Sequence, residues 1–325
     1  MANERRFIVT VLLLETIDDT ALKILCAESR VIMFPSLDNP SFDVPWNHIT
    51  AIITRGLGQL DSKMMAKCPN LKVIARCGAG LDNLDTAYAE ARKIPVIFAP
   101  GFSATAVAEH AVMLMLMTVR QGFAMANAIK LNDWFARQSF TGQDLAGKTV
   151  CIVGNGAIGR QTAKLCKGFG MSVRICRREG GGIRELKNQM RRHLPHSHVV
   201  SMHVPFVPET EQILDRDMID LCPQGVTVTN TARSGVVCET AVLEALNSGD
   251  IGWYGADVPR QQPSRPDDPL LHHARSVVTP HVAAMTETTY QAMCTFTVEN
   301  VLTILRGETP DPRALFKDAA SCVRN

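Results

Sequence analysis

The sequence carries little excess charge of either sign and has no apolar run of membrane-spanning length. Its 34 lysines and arginines against 32 aspartates and glutamates give a formal net charge of +2 over 325 residues. This balance offers no general attraction for nucleic acid or for an anionic membrane surface. The apolar run at 111–119 is far shorter than the roughly 20 residues that a membrane helix needs. We therefore expect no nucleic-acid and no membrane partner.

The sequence also lacks any Cys-x-x-Cys pair among its ten cysteines, most of which lie in apolar runs. We therefore expect neither a zinc site nor a disulfide framework, and we predict a reducing, cytoplasmic location. His193, His196 and His198 have a spacing that metal ligands can show, but no further ligand is evident, so no metal site is predicted. The apolar stretch 7–14 is followed by acidic residues without a small-residue cleavage site, which indicates a buried first strand rather than a signal segment.

Short apolar runs alternate with helical patterns along the chain, which is typical of parallel α/β architecture. Pro100-Gly101 ends a first series, a second begins at Thr149, and the last helical pattern is long enough to return to the first domain. We predict a discontinuous first domain, 1–101 with 288–325, around a second domain, 102–287. The predicted strands are 7–14, 31–34, 51–54, 73–76, 96–99, 149–153, 172–176, 199–203, 226–229, 252–256 and 276–279. The predicted helices include 20–28, 61–67, 104–120, 158–169 and 287–305, with a polar stretch from 121 to 147.

One glycine-rich turn stands between a predicted strand and a predicted helix. It reads Gly154-Asn155-Gly156-Ala157-Ile158-Gly159. In this context Gly154 permits a tight turn, Gly156 lets the backbone approach a pyrophosphate, and Gly159 lets the helix pack on the strand. Ala157 precedes the predicted helix and Ile158 begins it, where the N–H groups of the first turn face the anion. The turn predicts a bound NAD or NADP.

The residues after the next strand bear on which dinucleotide is bound. A site that prefers NAD usually has an acid there for the ribose 2′-hydroxyl, but here Arg177 and Arg178 follow Cys176. Glu179 lies two residues beyond the usual place. An arginine pair would attract the 2′-phosphate of NADP. NADP(H) is thus the preferred cofactor, with NAD(H) possible; the alternative interpretation is a solvated basic turn.

Several separate motifs occur in the order found in one enzyme family. At this point the chain resembles the D-isomer-specific 2-hydroxyacid dehydrogenases over nearly its whole length. The resemblance implies a Rossmann nucleotide-binding domain inserted into a flavodoxin-like substrate domain, two doubly wound parallel sheets in all. Besides the glycine turn, the markers are Arg76-Cys-Gly-Ala-Gly-Leu-Asp-Asn83, Val107-Ala-Glu-His110, His203-Val-Pro205, Asn230-Thr-Ala-Arg-Ser-Gly235, Gly255-Ala-Asp-Val258 and Thr279-Pro-His281.

The resemblance implies a role for individual residues in the reduction of a 2-keto acid to the D-2-hydroxy acid. Arg233 matches the arginine that binds the substrate carboxylate and keto oxygen, for which a two-pronged guanidinium is suited. His281 matches the acid/base histidine that protonates the keto oxygen as hydride arrives. The backbone N–H groups of Gly78, Ala79 and Gly80 would help to hold the carboxylate. The implied cofactor contacts are Asp257 at the nicotinamide carboxamide, Thr231 and Ala232 beside the nicotinamide, and His203, Val204 and Pro205 near the adenosine.

The sequence departs from the family at the partner of that histidine. Relatives have a glutamate just before a proline in this stretch, whereas here Gln262 precedes Pro263. Glutamine can orient the ring but supplies no charge, so we expect His281 to stay neutral to lower pH than in relatives with glutamate. A glutamine here also resembles the formate dehydrogenase branch, which is one alternative. That branch has an asparagine where this chain has Ser103.

Two further arginines bear on the substrate. Arg55 and Arg76 follow strands of the first domain, and matching arginines meet the phosphate in relatives resembling phosphoglycerate dehydrogenase. They would favour a second anionic group or a polar acid, although they can also be ordinary strand-end arginines. Because the sequence ends without the regulatory domain of those longer enzymes, glyoxylate or hydroxypyruvate is the first choice and 3-phosphoglycerate the second. A non-catalytic NAD(P)-sensing protein is a third alternative. The helix at 104–120 and the segment with Trp134 and Phe135 pair two subunits in relatives, so a homodimer is expected.

Overall fold

The structure is a computed structural model that describes residues 9–34, 44–56, 58–178, 180 and 182–317. The chain divides into two compact units. The first unit comprises Met1–Ser103 with Met285–Arg324, and the second comprises Ala104–Ala284. Each division lies within a few residues of the domain boundaries expected from the sequence.

Every strand predicted from the sequence has a counterpart in the structure. The strands are β1 Thr10–Leu13, β2 Arg30–Met33, β3 Ile49–Thr54, β4 Val73–Arg76, β5 Val96–Ile97, β6 Thr149–Val153, β7 Ser172–Cys176, β8 Val199–Met202, β9 Val226–Asn230, β10 Ile251–Ala256 and β11 Ser276–Val278. The helices are α1 Asp19–Glu28, α2 Ser62–Ala66, α3 Thr86–Ala91, α4 Ala104–Val119, α5 Gly122–Lys130, α6 Ala157–Gly168, α7 Gly182–His193, α8 Arg216–Ile219, α9 Glu239–Ser248, α10 Pro269–His272 and α11 Glu287–Leu305.

The first unit contains a five-stranded parallel sheet with the order β2-β1-β3-β4-β5. This is the flavodoxin-like order, in which ligands bind where the strand order reverses, here between the carboxyl ends of β1 and β3. β1, β3 and β4 are buried throughout because helices cover both faces, which explains their continuous apolar runs. α11 packs on one face beside α1, so the end of the chain completes the first unit.

The second unit contains a six-stranded parallel sheet with the order β7-β6-β8-β9-β10-β11. The common dinucleotide-binding order, 3-2-1-4-5-6, has one more strand outside β7. In the described part of this chain, α7 and a short 3₁₀ helix connect β7 to β8, and no strand lies beyond β7. The strand order reverses between β6 and β8, so the edge of the sheet where ligands bind in such folds is the one that carries the glycine turn. The predicted fold class, two doubly wound parallel-sheet domains, is confirmed.

The stretch after α4 contains helices that the sequence did not predict. From the sequence it is polar and Asn-containing, and it holds α5 and a 3₁₀ helix at Trp134–Gln138. Alanine and methionine have high helix propensity, which favours α5 despite Asn127. No residue of α5 is buried within the chain, so the helix has no core-facing stripe that a sequence pattern could reveal.

In the described ranges, no single helix is long and apolar enough to cross a membrane. α4 and α5 satisfy that test of length and composition only together, and they are bent by 63°. Within the same ranges, no group of three or more histidine, cysteine, aspartate or glutamate side chains has the geometry of a metal site.

Candidate functional site

The glycine turn begins where β6 ends and crosses closely over the end of β8. Gly154 has φ +114°, and a Cβ built on it would lie 2.4 Å from the backbone oxygen of His203. Any side chain would therefore clash with backbone that cannot move aside. The Gly154 N–H donates to the Cys176 carbonyl oxygen at 2.8 Å, which fixes the turn at the reversal of strand order.

The helix that follows offers its N-terminus to an anion. α6 starts at Ala157 after Gly156, which provides no side-chain cap. The unsatisfied N–H groups of a first turn form an anion site. A Cβ on Gly159 would lie 2.2 Å from the Gly154 carbonyl oxygen, so only glycine lets the helix pack this closely on the turn. This cradle fits the pyrophosphate of a dinucleotide, and Gly154, Gly156, Ala157, Ile158 and Gly159 would hold it.

The arginine pair follows β7 at the same edge of the sheet. Arg177 is exposed, and its backbone N–H donates to Gln189 Oε1 at 2.9 Å. Gln189 is buried on α7, and its amide donates to Glu185 Oε1 at 3.0 Å. Arg178 is half-buried, and its Nη2 has no acceptor among the described residues. A buried donor without an acceptor fits a ligand oxygen. Glu179 lies outside the described residues.

The segment after β8 packs against the glycine turn. His203 Nε2 lies 2.8 Å from the Ser201 hydroxyl, and burial lowers the pKa of His203 to about 4. The ring is therefore neutral at physiological pH. Val204 is buried, and the Pro205 carbonyl accepts from the Thr210 hydroxyl at 2.6 Å. These contacts hold the backbone that faces Gly154; the adenosine contacts of the three residues stay a prediction.

A buried asparagine shapes the turn that carries Arg233. Asn230, the last residue of β9, is fully buried. Its Oδ1 accepts from the Ala232 N–H at 3.0 Å, and its Nδ2 donates to the Arg233 carbonyl at 2.8 Å. Arg233 Nη1 donates to the Ala232 carbonyl at 2.7 Å, which directs the guanidinium. The Thr231 hydroxyl oxygen is buried and has no partner among the described residues, as expected of an atom that a bound group would meet.

The structure brings Gln262 and His281 together. Gln262 Oε1 lies 2.8 Å from His281 Nδ1. Because this oxygen can only accept, Nδ1 carries the hydrogen, and in the neutral ring Nε2 is the acceptor. The His281 backbone has φ +56°, a left-handed conformation that non-glycine residues rarely adopt. The ring is thus held in a defined tautomer on an unusual backbone.

Asp257, at the end of β10, is 1% exposed. Its Oδ1 accepts from the Thr279 hydroxyl at 2.6 Å and from the Val282 N–H at 2.9 Å, while its Oδ2 accepts from the Ala283 N–H at 2.8 Å. A carboxylate oxygen can accept two hydrogen bonds, so Oδ2 has capacity for a carboxamide donor. The predicted cofactor contact therefore fits, but the carboxylate also holds the loop after His281.

The first unit has its own polar cluster at the reversal of strand order. Glu15 follows β1, and its Oε1 accepts from the backbone N–H groups of Arg55, Gly56 and Gly58 at 3.1, 2.8 and 2.8 Å. Glu15 Oε2 lies 3.6 Å from Arg55 Nε. Arg55 also approaches the Tyr290 hydroxyl at 3.4 Å and the face of its ring. The loop after β3 is therefore folded around a carboxylate that offsets the charge of Arg55.

Arg76 is more enclosed than the sequence suggests. It is 7% exposed, its Nε donates to the Arg55 carbonyl at 2.8 Å, and its Nη1 lies 3.7 Å from Asp82. These contacts give it a role in supporting Arg55. The Gly78 N–H donates to the Arg76 carbonyl at 2.9 Å, whereas Ala79 and Gly80 are half-exposed. The carboxylate contacts of the three residues stay a prediction.

Glu15, Asn230 and Gln189 were not assigned a role from the sequence. Each is a buried or nearly buried polar residue that binds backbone of a predicted site loop. Position at a strand end could have indicated Glu15 and Asn230, because ligand sites in parallel sheets gather there. Gln189 gives no such signal, since it lies in the middle of α7.

A doubly wound sheet with this glycine turn defines a dinucleotide-binding protein. Comparison with known proteins identifies its family. Residues 112–283 match the family model described as "D-isomer specific 2-hydroxyacid dehydrogenase, NAD binding domain". The chain therefore belongs to the D-isomer-specific 2-hydroxyacid dehydrogenase family, a family of NAD(P)-dependent oxidoreductases, and the resemblance inferred from the motifs is confirmed.

Individual relatives carry different activities. A glyoxylate reductase of Korarchaeum cryptofilum is 31% identical over 80% of this chain and 81% of its own length. A D-3-phosphoglycerate dehydrogenase of Mycobacterium tuberculosis is 35% identical over 87% of this chain. The chain spans about half the length of such curated phosphoglycerate dehydrogenases, 54% in this case. A crystal structure of a protein from Thermus thermophilus has a TM-score of 0.83 at 30% identity, covering 93% of this chain and 98% of that one.

Proposed function

We propose that the protein reduces a small 2-keto acid of the glyoxylate or hydroxypyruvate class to the D-2-hydroxy acid with NADPH. The observation that carries this proposal is the hydrogen bond between His281 and Gln262. The same unit contains the sheet with the glycine turn and Arg233, whose turn is held by Asn230. When bound, the dinucleotide supplies hydride to the carbonyl carbon. Arg233 binds the carboxylate and keto oxygen, and His281 gives a proton to that oxygen.

The experiment that tests this function follows the oxidation of NADPH spectroscopically with a panel of 2-keto acids. Turnover of glyoxylate or hydroxypyruvate supports the proposal. Turnover of phosphohydroxypyruvate with little activity on these two would favour the phosphoglycerate alternative, which the partly exposed Arg55 and the Mycobacterium relative support. Tight cofactor binding without any turnover would favour an NAD(P)-sensing protein.

Formate oxidation is the other enzymatic alternative, and one observation favours it. Gln262 supplies no charge to His281, and formate oxidation needs no acid/base histidine because it gives only hydride and carbon dioxide. The test is reduction of NAD(P)⁺ by formate alone. Formate oxidation without keto-acid reduction would replace our first choice.

NADP preference is proposed from Arg178, whose Nη2 is buried without an acceptor among the described residues. We expect Arg178→Ala to weaken NADPH binding by about 10- to 100-fold, since a hydrogen bond to a charged group contributes about 1.5–3 kcal/mol. NADH, which has no 2′-phosphate, should bind within about twofold of its original affinity. Calorimetric titration of both cofactors measures the two constants. The control is Arg191→Ala, an exposed arginine in the last turn of α7; equal losses for NADPH and NADH in Arg178→Ala would contradict the assignment.

Gln262→Glu is expected to move the pH dependence of keto-acid reduction. A carboxylate beside Nδ1 favours the imidazolium and raises the pKa of His281. Reduction uses the protonated ring, whose fraction falls as pH rises through that pKa. The variant should therefore stay active to higher pH, and the original protein should favour mildly acid conditions. Profiles of kcat/KM against pH measure this; superimposable profiles of the two proteins would rule out the effect.

We also propose a homodimer in a reducing, cytoplasmic setting. The support for a second copy is the apolar surface on α5 and the 3₁₀ helix after it, where Phe123, Leu131, Trp134 and Phe135 are 61–72% exposed. Such a cluster of large apolar side chains is typical of a protein interface. The support for the location is a set of cysteines that form no disulfide among the described residues.

A further inference from the structure

The loop that carries His281 is held by a carboxylate that precedes it by more than twenty residues. The two residues after His281 donate their backbone N–H groups to Asp257, Val282 to Oδ1 and Ala283 to Oδ2. His281 itself has φ +56°. A left-handed non-glycine residue persists only where its surroundings fix it. The Asp257 carboxylate therefore holds the backbone of the acid/base residue.

That carboxylate is in turn held by side chains from two other elements. The Thr279 hydroxyl, just after β11, lies 2.6 Å from Asp257 Oδ1 and 2.9 Å from Nε2 of His110 on α4. His110 Nε2 is also 3.5 Å from Asp257 Oδ1. Which group donates in each of these hydrogen bonds follows from the chemistry of the carboxylate. An ionised carboxylate only accepts, so Thr279 donates to Asp257 and accepts from His110, whose Nε2 must carry a hydrogen.

His110 is a mostly buried side chain and not a surface group. Its side chain is 13% exposed, and among the described residues it is the basic side chain that comes within ion-pairing distance of Asp257. A buried carboxylate needs donors, because an unmet acceptor in a low-dielectric interior is costly. Nε2 of His110 is directed at the same hydroxyl that donates to this carboxylate, so α4 is tied to the loop of His281 through Thr279 and Asp257.

We propose that His110 and Thr279 are positioning residues for His281, acting through Asp257. Together they hold the carboxylate where it binds the Val282 and Ala283 amides, and so they keep His281 in the orientation that meets Gln262. The catalytic consequence rests on the proposed function, because that function makes His281 the proton donor. Loss of the network should slow proton transfer, and hence kcat, without removing any group that binds the keto acid.

The test compares variants that differ by one hydroxyl or one donor. Thr279→Val removes the hydroxyl at nearly constant shape, Thr279→Ser keeps it, and His110→Leu removes the donor to Thr279. Amide hydrogen exchange of the peptide containing Val282 and Ala283 is measured by mass spectrometry without cofactor, and kcat and KM are measured for glyoxylate. Thr118→Val is the matched control, because Thr118 is a buried α4 threonine whose hydroxyl, within the described ranges, donates only to carbonyls of its own helix.

We expect Thr279→Val and His110→Leu to speed exchange at residues 282–283 and to lower kcat, each by about tenfold or more, as expected for loss of a hydrogen bond to a charged group. The glyoxylate KM should stay within about twofold, since Arg233 is untouched. Thr279→Ser should restore both properties, and Thr118→Val should change neither.

Unchanged exchange at 282–283 in Thr279→Val would overturn the proposal, as would a Thr279→Ser protein that behaves like Thr279→Val. If His110→Leu speeds exchange throughout the unit 104–284, that variant has destabilised the whole unit. The comparison of Thr279→Val with Thr279→Ser then decides whether the network holds the loop. If the original protein reduces no keto acid, the proposed function fails, but the exchange measurements still decide whether the network holds the loop.

Discussion

His281→Asn should lower keto-acid reduction by about 10²- to 10⁴-fold, the range that a positioned acid or base contributes. Asparagine has no group that titrates near neutral pH, so proton transfer to the keto oxygen is lost. It also tolerates the left-handed conformation better than most residues, so the φ of +56° can be kept and the loop should stay folded. Measured kcat for glyoxylate or hydroxypyruvate gives the effect, and NADPH affinity should be unchanged.

The matched control for this prediction is His196→Asn, which replaces an exposed histidine in the 3₁₀ helix before β8. It should leave kcat unaltered. The same His281 variant also separates the two enzymatic alternatives, because formate oxidation needs no acid/base histidine. A His281→Asn protein that reduces keto acids at an undiminished rate would remove His281 from the mechanism.

Arg233→Ala should lower kcat/KM for the keto acid by about 10³-fold, since two hydrogen bonds between charged groups contribute about 1.5–3 kcal/mol each. The carboxylate contact exists before and during the reaction, so its loss raises KM. The contact with the keto oxygen strengthens as negative charge develops there, so its loss lowers kcat. We therefore expect both parameters to change, and steady-state kinetics with each keto acid measures them.

Arg233→Lys provides the finer comparison. Lysine keeps the charge but lacks the planar fork, so it should recover only part of the lost activity. Arg191→Ala, at the far end of α7, should leave the kinetics unchanged. Full activity in Arg233→Lys would mean that charge alone matters at this position and that the two-pronged geometry braced by Asn230 has no part in catalysis.

The sequence predicted most strands to within one or two residues, because each lies in an apolar run bounded by a turn. β4, β6 and β7 agree at both ends. It did not predict α5, whose apolar residues are not buried in this chain and so follow no core pattern. It left Arg76 with two interpretations, a substrate contact or an ordinary strand-end arginine, and did not indicate that its guanidinium is buried and donates to the Arg55 carbonyl. Burial of a charged residue depends on its partners, which composition and spacing do not indicate.

By itself the sequence determined the features whose cause is local. Gly159 is required by a backbone contact within one strand–turn–helix unit, and the arginine pair simply follows β7, whereas the contact that requires Gly154 is with the backbone of His203 after β8. Only the tertiary structure decided which distant groups hold the reacting residues. Glu15 folds the loop forty residues away, and Nε2 of His110 meets Thr279 across 169 residues of chain. In each case one partner follows the carboxyl end of a parallel strand, and the other reaches it only once that sheet and the elements packed on it have assembled.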